Sequence, residues 1–196
     1  MSQSTKAKVI FLGDSGVGKT SIVLMQEKRR FEEVYTATMG ATFIVSTVQI
    51  ANEYVHFQVW DTAGQERFRS MVPMYLRNSK AAIIVYDITN RQSFKNVHAW
   101  IQDIQRWVPE SIQIVILGNK SDLAHSRVVA RQEGEDIARL YGCIFFETSA
   151  KLDQNIDAPF VYIAEQMILS RSNTSPEKNM VFLDNNRKQK KGCCGK

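Results

Sequence analysis

A glycine-rich run near the amino terminus has the composition and spacing of a phosphate-binding loop. It reads Gly13-Asp14-Ser15-Gly16-Val17-Gly18-Lys19-Thr20, with an apolar stretch before it and a helical pattern after it. Glycines let backbone N–H groups curl around phosphate oxygens, and the helix N-terminus adds a favourable dipole. In such a loop the lysine neutralises the β- and γ-phosphates and the threonine hydroxyl ligates Mg²⁺. The pattern predicts nucleoside triphosphate binding by Ser15, Gly16, Val17, Gly18, Lys19, Thr20 and Ser21.

Two later polar segments are suited to reading a purine base. Asn119-Lys120-Ser121-Asp122 follows one apolar strand pattern, and Glu147-Thr148-Ser149-Ala150-Lys151 follows another. A carboxylate at Asp122 can accept both N1–H and the exocyclic amine of guanine, whereas adenine presents the wrong donors. We expect the aliphatic stem of Lys120 to pack along the base and the second segment to supply a backbone N–H to the guanine O6. The predicted base-site residues are Asn119, Lys120, Asp122, Ser149, Ala150 and Lys151.

A third segment, Asp61-Thr62-Ala63-Gly64-Gln65, has the residue types needed at a hydrolysed phosphate. Asp61 can hold Mg²⁺ through water, the Gly64 N–H can reach a γ-phosphate, and Gln65 can orient the attacking water. Gln65 is therefore a predicted catalytic residue, together with Lys19.

The stretch between the first helix and the next strand supplies further candidates. Thr38 lies 19 residues after Lys19, in a polar run that also contains Tyr35. It is a predicted hydroxyl ligand of Mg²⁺ in the presence of a γ-phosphate, which gives a metal set of Thr20, Thr38 and Asp61. Tyr35 belongs to the predicted nucleotide site, and Phe31 either lies edge-on against the base or belongs to the core.

Alternating strand and helix patterns must position these segments. Apolar runs predict strands over 8–12, 43–50, 54–60, 81–86, 112–117 and 144–146, and three- and four-residue apolar spacing predicts helices over 20–28, 94–107, 130–140 and 160–168. A tight turn near Ala51-Asn52 predicts an antiparallel hairpin. The alternation is typical of a doubly wound α/β domain with a mostly parallel sheet, over residues 1–170.

The order of the motifs GDSGVGKT, TMG, WDTAGQE, NKSD and ETSAK resembles the Ras superfamily over about residues 6–170. The resemblance implies a P-loop fold with a six-stranded sheet, one antiparallel strand and five flanking helices. It also implies a GTPase that binds GTP or GDP with Mg²⁺ and hydrolyses GTP slowly.

Within that superfamily, three runs resemble Rab signatures: Met39 to Phe43, Arg67 to Met71, and Val85 to Thr89. Residues 73–75 and 81–89 are similar to the early-endosomal Rab branch, although Leu76 and Asn78 depart from a common tyrosine-tyrosine-arginine-glycine run. The resemblance implies a monomeric switch in vesicle traffic, on the cytoplasmic face of intracellular membranes. Its implied partners are an activating protein, an exchange factor, a GDP-dissociation inhibitor or escort protein, and effectors that read Phe43, Trp60 and Tyr75.

The net charge of +5 is concentrated at the carboxyl terminus. Residues 171–196 carry seven Lys and Arg against two Asp and Glu, while the remaining 170 residues carry 18 of each sign. A nucleic-acid-binding protein would show a basic face on its folded domain. This charge distribution therefore favours an anionic membrane surface as the partner and no nucleic acid. We predict a flexible basic tail over 171–196.

The cysteines and the apolar runs indicate where in the cell the protein is expected. Cys193 and Cys194 form a pair near the end that resembles a Rab double-prenylation signal, and such a pair is no disulfide framework. No apolar run approaches the roughly 20 residues of a membrane span, and the first is too short for a signal peptide. We therefore expect a cytosolic protein attached to membranes through its tail.

The sequence leaves three alternatives open. The chain could be a scaffold that binds nucleotide without turnover, although the intact Asp61–Gln65 run argues against that. It could be an ATP-dependent kinase or ATPase, against which Asp122 in its NKSD setting argues. A Ras- or Rho-type relative is the third, but such proteins usually carry one prenylated cysteine in a different terminal motif.

Overall fold

The computed structural model describes residues 4–31, 38, 40–62, 64, 71–108 and 112–173 of the chain. The strands are β1 (Ser4–Leu12), β2 (Ala41–Ile50), β3 (Glu53–Thr62), β4 (Ala81–Asp87), β5 (Gln113–Asn119) and β6 (Ile144–Glu147). The helices are α1 (Lys19–Lys28), α2 (Val72–Leu76), α3 (Arg91–Trp107), α4 (Arg131–Tyr141) and α5 (Ala158–Asn173), with a 3₁₀ segment at Ser121–Ser126.

The six strands form one sheet in the order β2-β3-β1-β4-β5-β6. Only β2 is antiparallel to its neighbour, and its pairing with β3 closes at Ile50 and Glu53 around the expected turn. The other pairs are parallel. The predicted α/β fold class and the hairpin are therefore confirmed. Because five strands run in the same direction, the polar segments that follow them meet at one edge of the sheet.

Both faces of the sheet are covered by helices. Val9 and Phe11 of β1 point into a core shared with α1 and α5, where the rings of Phe11 and Phe160 lie 6.1 Å apart. Ile10 and Leu12 point into a second core built with α2, α3 and α4. Burial on both faces explains why the last four residues of β1, Val9 to Leu12, form an unbroken apolar run.

Helix α2 was not predicted from the residue pattern, because its five residues are too few to show a helical period. Pro73 lies in its first turn, where the missing N–H costs nothing. Just after it, Asn78 adopts a φ of 62°. Asparagine tolerates this left-handed conformation better than most residues, which explains how it replaces the glycine of the common family run.

The last helix runs three residues beyond the boundary predicted at 170. Arg171 donates to the Thr5 hydroxyl and pairs with Glu53, so the last turns of α5 are tied to β1 and β3. Residues 174–196, including Cys193 and Cys194, lie outside the described residues. Within the described part of the chain, no helix has the length and apolar content needed to cross a bilayer.

Candidate functional site

The glycine-rich loop joins β1 to α1 at the carboxyl edge of the sheet. Gly18 precedes the helix with a φ of 96°, a backbone conformation that residues other than glycine rarely adopt. A Cβ atom at Gly18 would lie 2.3 Å from the Asn119 amide nitrogen. The loop therefore needs glycine here both for its turn and for its contact with the segment after β5. Ser15 and Gly16 are exposed at the tip of the loop, and Val17 is buried beneath it.

Lys19 is held by the loop that it follows. Its ammonium donates to the carbonyl oxygens of Gly13 at 2.8 Å and Asp14 at 2.7 Å, and the residue is only 5% exposed. Burial lowers the pKa of Lys19 to about 8, although the charges of Asp61 and Asp14 oppose that shift. A phosphate group beside Lys19 would favour the charged form further.

Thr20, Thr38 and Asp61 come together as the sequence predicts. The Thr20 hydroxyl donates to Asp61 Oδ2 at 2.5 Å and lies 2.8 Å from the Thr38 hydroxyl. Asp61 is 1% exposed, and its Oδ1 has no hydrogen-bond partner among the described residues. Burial raises the Asp61 pKa, while the Thr20 hydrogen bond and the Lys19 charge oppose the shift.

This oxygen cluster fits a small hard cation. Magnesium prefers one or two carboxylates together with water and phosphate oxygens, and a bound cation would satisfy the orphaned Asp61 oxygen. Among the described residues, no group of three or more His, Cys, Asp or Glu could hold a metal. In this part of the chain the cation site therefore depends on hydroxyls and a single carboxylate.

Gly64 packs directly against the phosphate loop. A Cβ atom at this position would lie 2.3 Å from both the Asp14 carbonyl oxygen and the Lys19 ammonium. Glycine thus permits the backbone after β3 to approach the loop this closely. Gln65 and Tyr35 lie outside the described residues, so their predicted roles stay predictions.

A cleft of about 320 Å³ opens beside the loop, within the size range of ligand sites. It brings together most of the predicted base-site residues with Phe31, and it adds Leu123, which the sequence had not indicated. Its lining residues are Gly16, Gly18, Ser21, Phe31, Asn119, Lys120, Asp122, Leu123, Ala150 and Lys151.

The two segments predicted to read the base are joined by hydrogen bonds. The Ser149 hydroxyl donates to Asp122 Oδ1 at 2.6 Å, while the Ser149 N–H donates to the Gln154 carbonyl. Ser149 therefore orients the Asp122 carboxylate, and a backbone N–H for the base has to come from its neighbours in the cleft wall. Asn119 donates to the Val17 carbonyl at 2.8 Å and accepts from Thr148, which ties the cleft to the phosphate loop.

A sequence model of the Ras family matches residues 8–169 of this chain, which run from within β1 through the phosphate loop and into α5. The chain belongs to the Ras family. Ras-family proteins are small GTPases that bind GTP and GDP with Mg²⁺, hydrolyse GTP, and act as switches through exchange factors, activating proteins and effectors. Membership assigns this general activity to the chain, and the loop, the cation cluster and the cleft provide a matching arrangement of residues.

In this Ras-family protein Lys120, a predicted base-site residue, pairs with a residue that the sequence did not indicate as part of the site. The Lys120 ammonium lies 2.6 Å from Asp87 Oδ2, and Asp87 also accepts from the N–H and hydroxyl of Thr89. Asp87 is 6% exposed at the end of β4. Its place as a charged residue at the end of an apolar strand, at the same sheet edge as the other site residues, is the signal that could have identified it.

Proposed function

We propose that this Ras-family GTPase is a Rab-type switch in intracellular vesicle traffic, acting at the early endosome. The observation that carries the proposal is an aromatic patch formed by Phe43, Trp60 and Tyr75, at the positions where Rab-like proteins are read by effectors. The Rab-like runs around Met39, Arg67 and Val85 and the terminal cysteine pair support the same assignment.

The aromatic patch joins β2, β3 and α2. The Phe43 and Trp60 ring centroids lie 5.6 Å apart, and those of Trp60 and Tyr75 lie 5.8 Å apart. Phe43 is 46% exposed, whereas Tyr75 is 8% exposed. The Lys8 ammonium also lies over the Trp60 ring, 4.9 Å from its centroid. We infer that Phe43 offers the contact surface for an effector, while Tyr75 and Lys8 hold the Trp60 ring in place.

In the proposed mechanism, separate groups of the chain bind the phosphates, hold Mg²⁺ and position the attacking water. The loop amides and Lys19 bind the phosphates, and Thr20, Thr38 and Asp61 are placed to hold Mg²⁺, which when bound neutralises charge on the phosphate oxygens. Gln65 orients the attacking water. Thr38 and Gly64 are placed to contact Mg²⁺ and the γ-phosphate when these are bound, so we propose that their segments relax after hydrolysis.

Intrinsic hydrolysis should be slow. Among the described contacts of Lys19, Thr20 and Asp61, none involves an arginine. We propose that an activating protein supplies an arginine, which accelerates hydrolysis by about 10³–10⁵-fold in this chemistry. An exchange factor then replaces GDP, and a GDP-dissociation inhibitor carries the prenylated protein between membranes.

We expect Gln65→Leu to leave GTP affinity nearly unchanged and to lower both intrinsic and activator-stimulated hydrolysis. A residue that positions water contributes to the transition state and not to ground-state binding. Single-turnover hydrolysis beside nucleotide dissociation rates measures both quantities. A large loss of affinity with hydrolysis intact would show that Gln65 binds nucleotide and does not position water.

The alternative function is a Ras- or Rho-type signalling GTPase at a membrane, since the family match does not distinguish the branches. Localising a tagged copy with an intact carboxyl terminus tests the proposal. We expect it on early endosomes, and we expect Phe43→Ala to reduce recruitment of effectors without changing nucleotide binding. Accumulation at the plasma membrane instead would favour the alternative.

A further inference from the structure

Asp14, in the phosphate loop, is held at both its backbone and its side chain. Its carbonyl oxygen accepts from the Lys19 ammonium at 2.7 Å, and the backbone of Gly64 packs on the same carbonyl. Its carboxylate faces the opposite way, toward helix α3. Lys19 and Gly64, two parts of the nucleotide site, therefore depend on where this one residue lies.

Two side chains of α3 hold the carboxylate. Asn96 Nδ2 donates to Asp14 Oδ2 at 2.6 Å, and Trp100 Nε1 donates to Asp14 Oδ1 at 3.1 Å. The two donors are four residues apart, so they lie on one face of the helix. Each carboxylate oxygen thus has its own donor, and both bonds are of the stronger, charge-assisted kind.

The charge of Asp14 gives these bonds a consequence beyond packing. A carboxylate in a phosphate-binding loop repels the phosphates if it turns toward them, and it competes for the Lys19 ammonium that they need. The donors on α3 bond both carboxylate oxygens, and among the described contacts the carboxylate makes no ion pair with that ammonium, although its charge still acts on Lys19. The neutral side chains Asn96 and Trp100 can do this without adding a positive charge that would itself attract phosphate.

We propose that Asn96 and Trp100 are positioning residues for nucleotide binding, which act by holding the Asp14 carboxylate away from Lys19 and the phosphates. This inference rests on the nucleotide site and not on the Rab assignment. It also links α3, a helix outside the sequence motifs, to the affinity of the site.

Nucleotide release rates in the full-length protein test the proposal, with fluorescent GDP and a non-hydrolysable fluorescent GTP analogue as probes. We expect Asn96→Ala to release both nucleotides roughly tenfold faster, as loss of one hydrogen bond to a charged group implies. Trp100→Phe should act in the same direction. The control is Gln102→Ala, which deletes an exposed amide from the same helix and should leave release rates unchanged.

A second pair of variants separates positioning from packing. In an Asp14→Ala background, Asn96→Ala should change the release rate less than about twofold, because its target is gone. These comparisons are made between variants with matched melting temperatures.

Three results would overturn the proposal. Asn96→Ala could leave release unchanged, or it could accelerate release equally in the Asp14→Ala background, in which case it acts through helix packing. If the parent protein itself failed to retain guanine nucleotide, the nucleotide site would be wrong and the role of α3 would fall with it. Failure of the parent protein to retain nucleotide is measured without any variant, so it is distinguishable from a result that contradicts only the role of α3.

Discussion

Asp122→Asn should weaken GTP and GDP binding by about 3 kcal/mol or more, at least a hundredfold, because two charge-assisted hydrogen bonds to guanine are affected. The asparagine amide presents a donor where the guanine exocyclic amine also donates. Xanthine carries a carbonyl oxygen at that position, so preference should shift toward xanthine nucleotides. Equilibrium binding of guanine and xanthine diphosphates to parent and variant measures the shift.

We expect the Asp122→Asn substitution to leave the structure around the cleft intact. The Ser149 hydroxyl can still donate to the amide oxygen of the variant, so the contact that joins the two base-reading segments is kept. Asp136→Asn is a matched control, since Asp136 lies on α4, where it pairs with Arg139, and does not line the cleft. If Asp122→Asn bound GTP as tightly as the parent, the assignment of the base site would be wrong.

Replacement of both terminal cysteines, Cys193→Ser with Cys194→Ser, should make the protein fully cytosolic without altering GTP binding. The body of the chain is electrically neutral and has little reason to bind a bilayer. Two prenyl chains supply strong attachment, since each buried CH₂ contributes about 0.8 kcal/mol, whereas a single chain gives only marginal binding. Replacing one cysteine should therefore leave partial or misdirected attachment.

The basic run upstream of the cysteines provides the matched comparison. Neutralising Arg187, Lys188, Lys190 and Lys191 removes about 1 kcal/mol per residue at an anionic leaflet, a contribution that salt screens. It should weaken attachment without abolishing it. Fractionation of cells that express each variant measures the effect. A double-serine protein that still pelleted with membranes would place the anchor elsewhere and contradict the Rab-type interpretation of the tail.

Sequence alone predicted the sheet and the meeting of the motifs for a simple geometric reason. Lys19, Asp61 and Asp122 each follow a buried strand, and the carboxyl ends of parallel strands share one edge. The structure places Thr20 beside Asp61, and the cleft around Asp122, at that edge.

Contacts made from the faces of helices could not be predicted in this way. Asn96 and Trp100 reach Asp14 across more than 80 residues of sequence. In the sequence, Trp100 belongs to the apolar stripe of α3, so nothing indicated that its indole N–H donates a hydrogen bond to Asp14. The Ser149–Asp122 bond was missed because side-chain direction within a loop depends on the surrounding packing. The predicted domain boundary at 170 lies before the end of α5, because the sequence groups Arg171 with the basic tail. In the structure Arg171 pairs with Glu53.

Nucleotide competition with the purified, unmodified protein tests the central claim most directly. The protein is loaded with fluorescent GDP in the presence of Mg²⁺ and challenged with unlabelled GTP or ATP, and phosphate release from bound GTP is then followed in a single turnover. The account predicts displacement by GTP but not by ATP, followed by slow conversion of the bound GTP to GDP. Displacement by ATP, or bound GTP that is never hydrolysed, would contradict it.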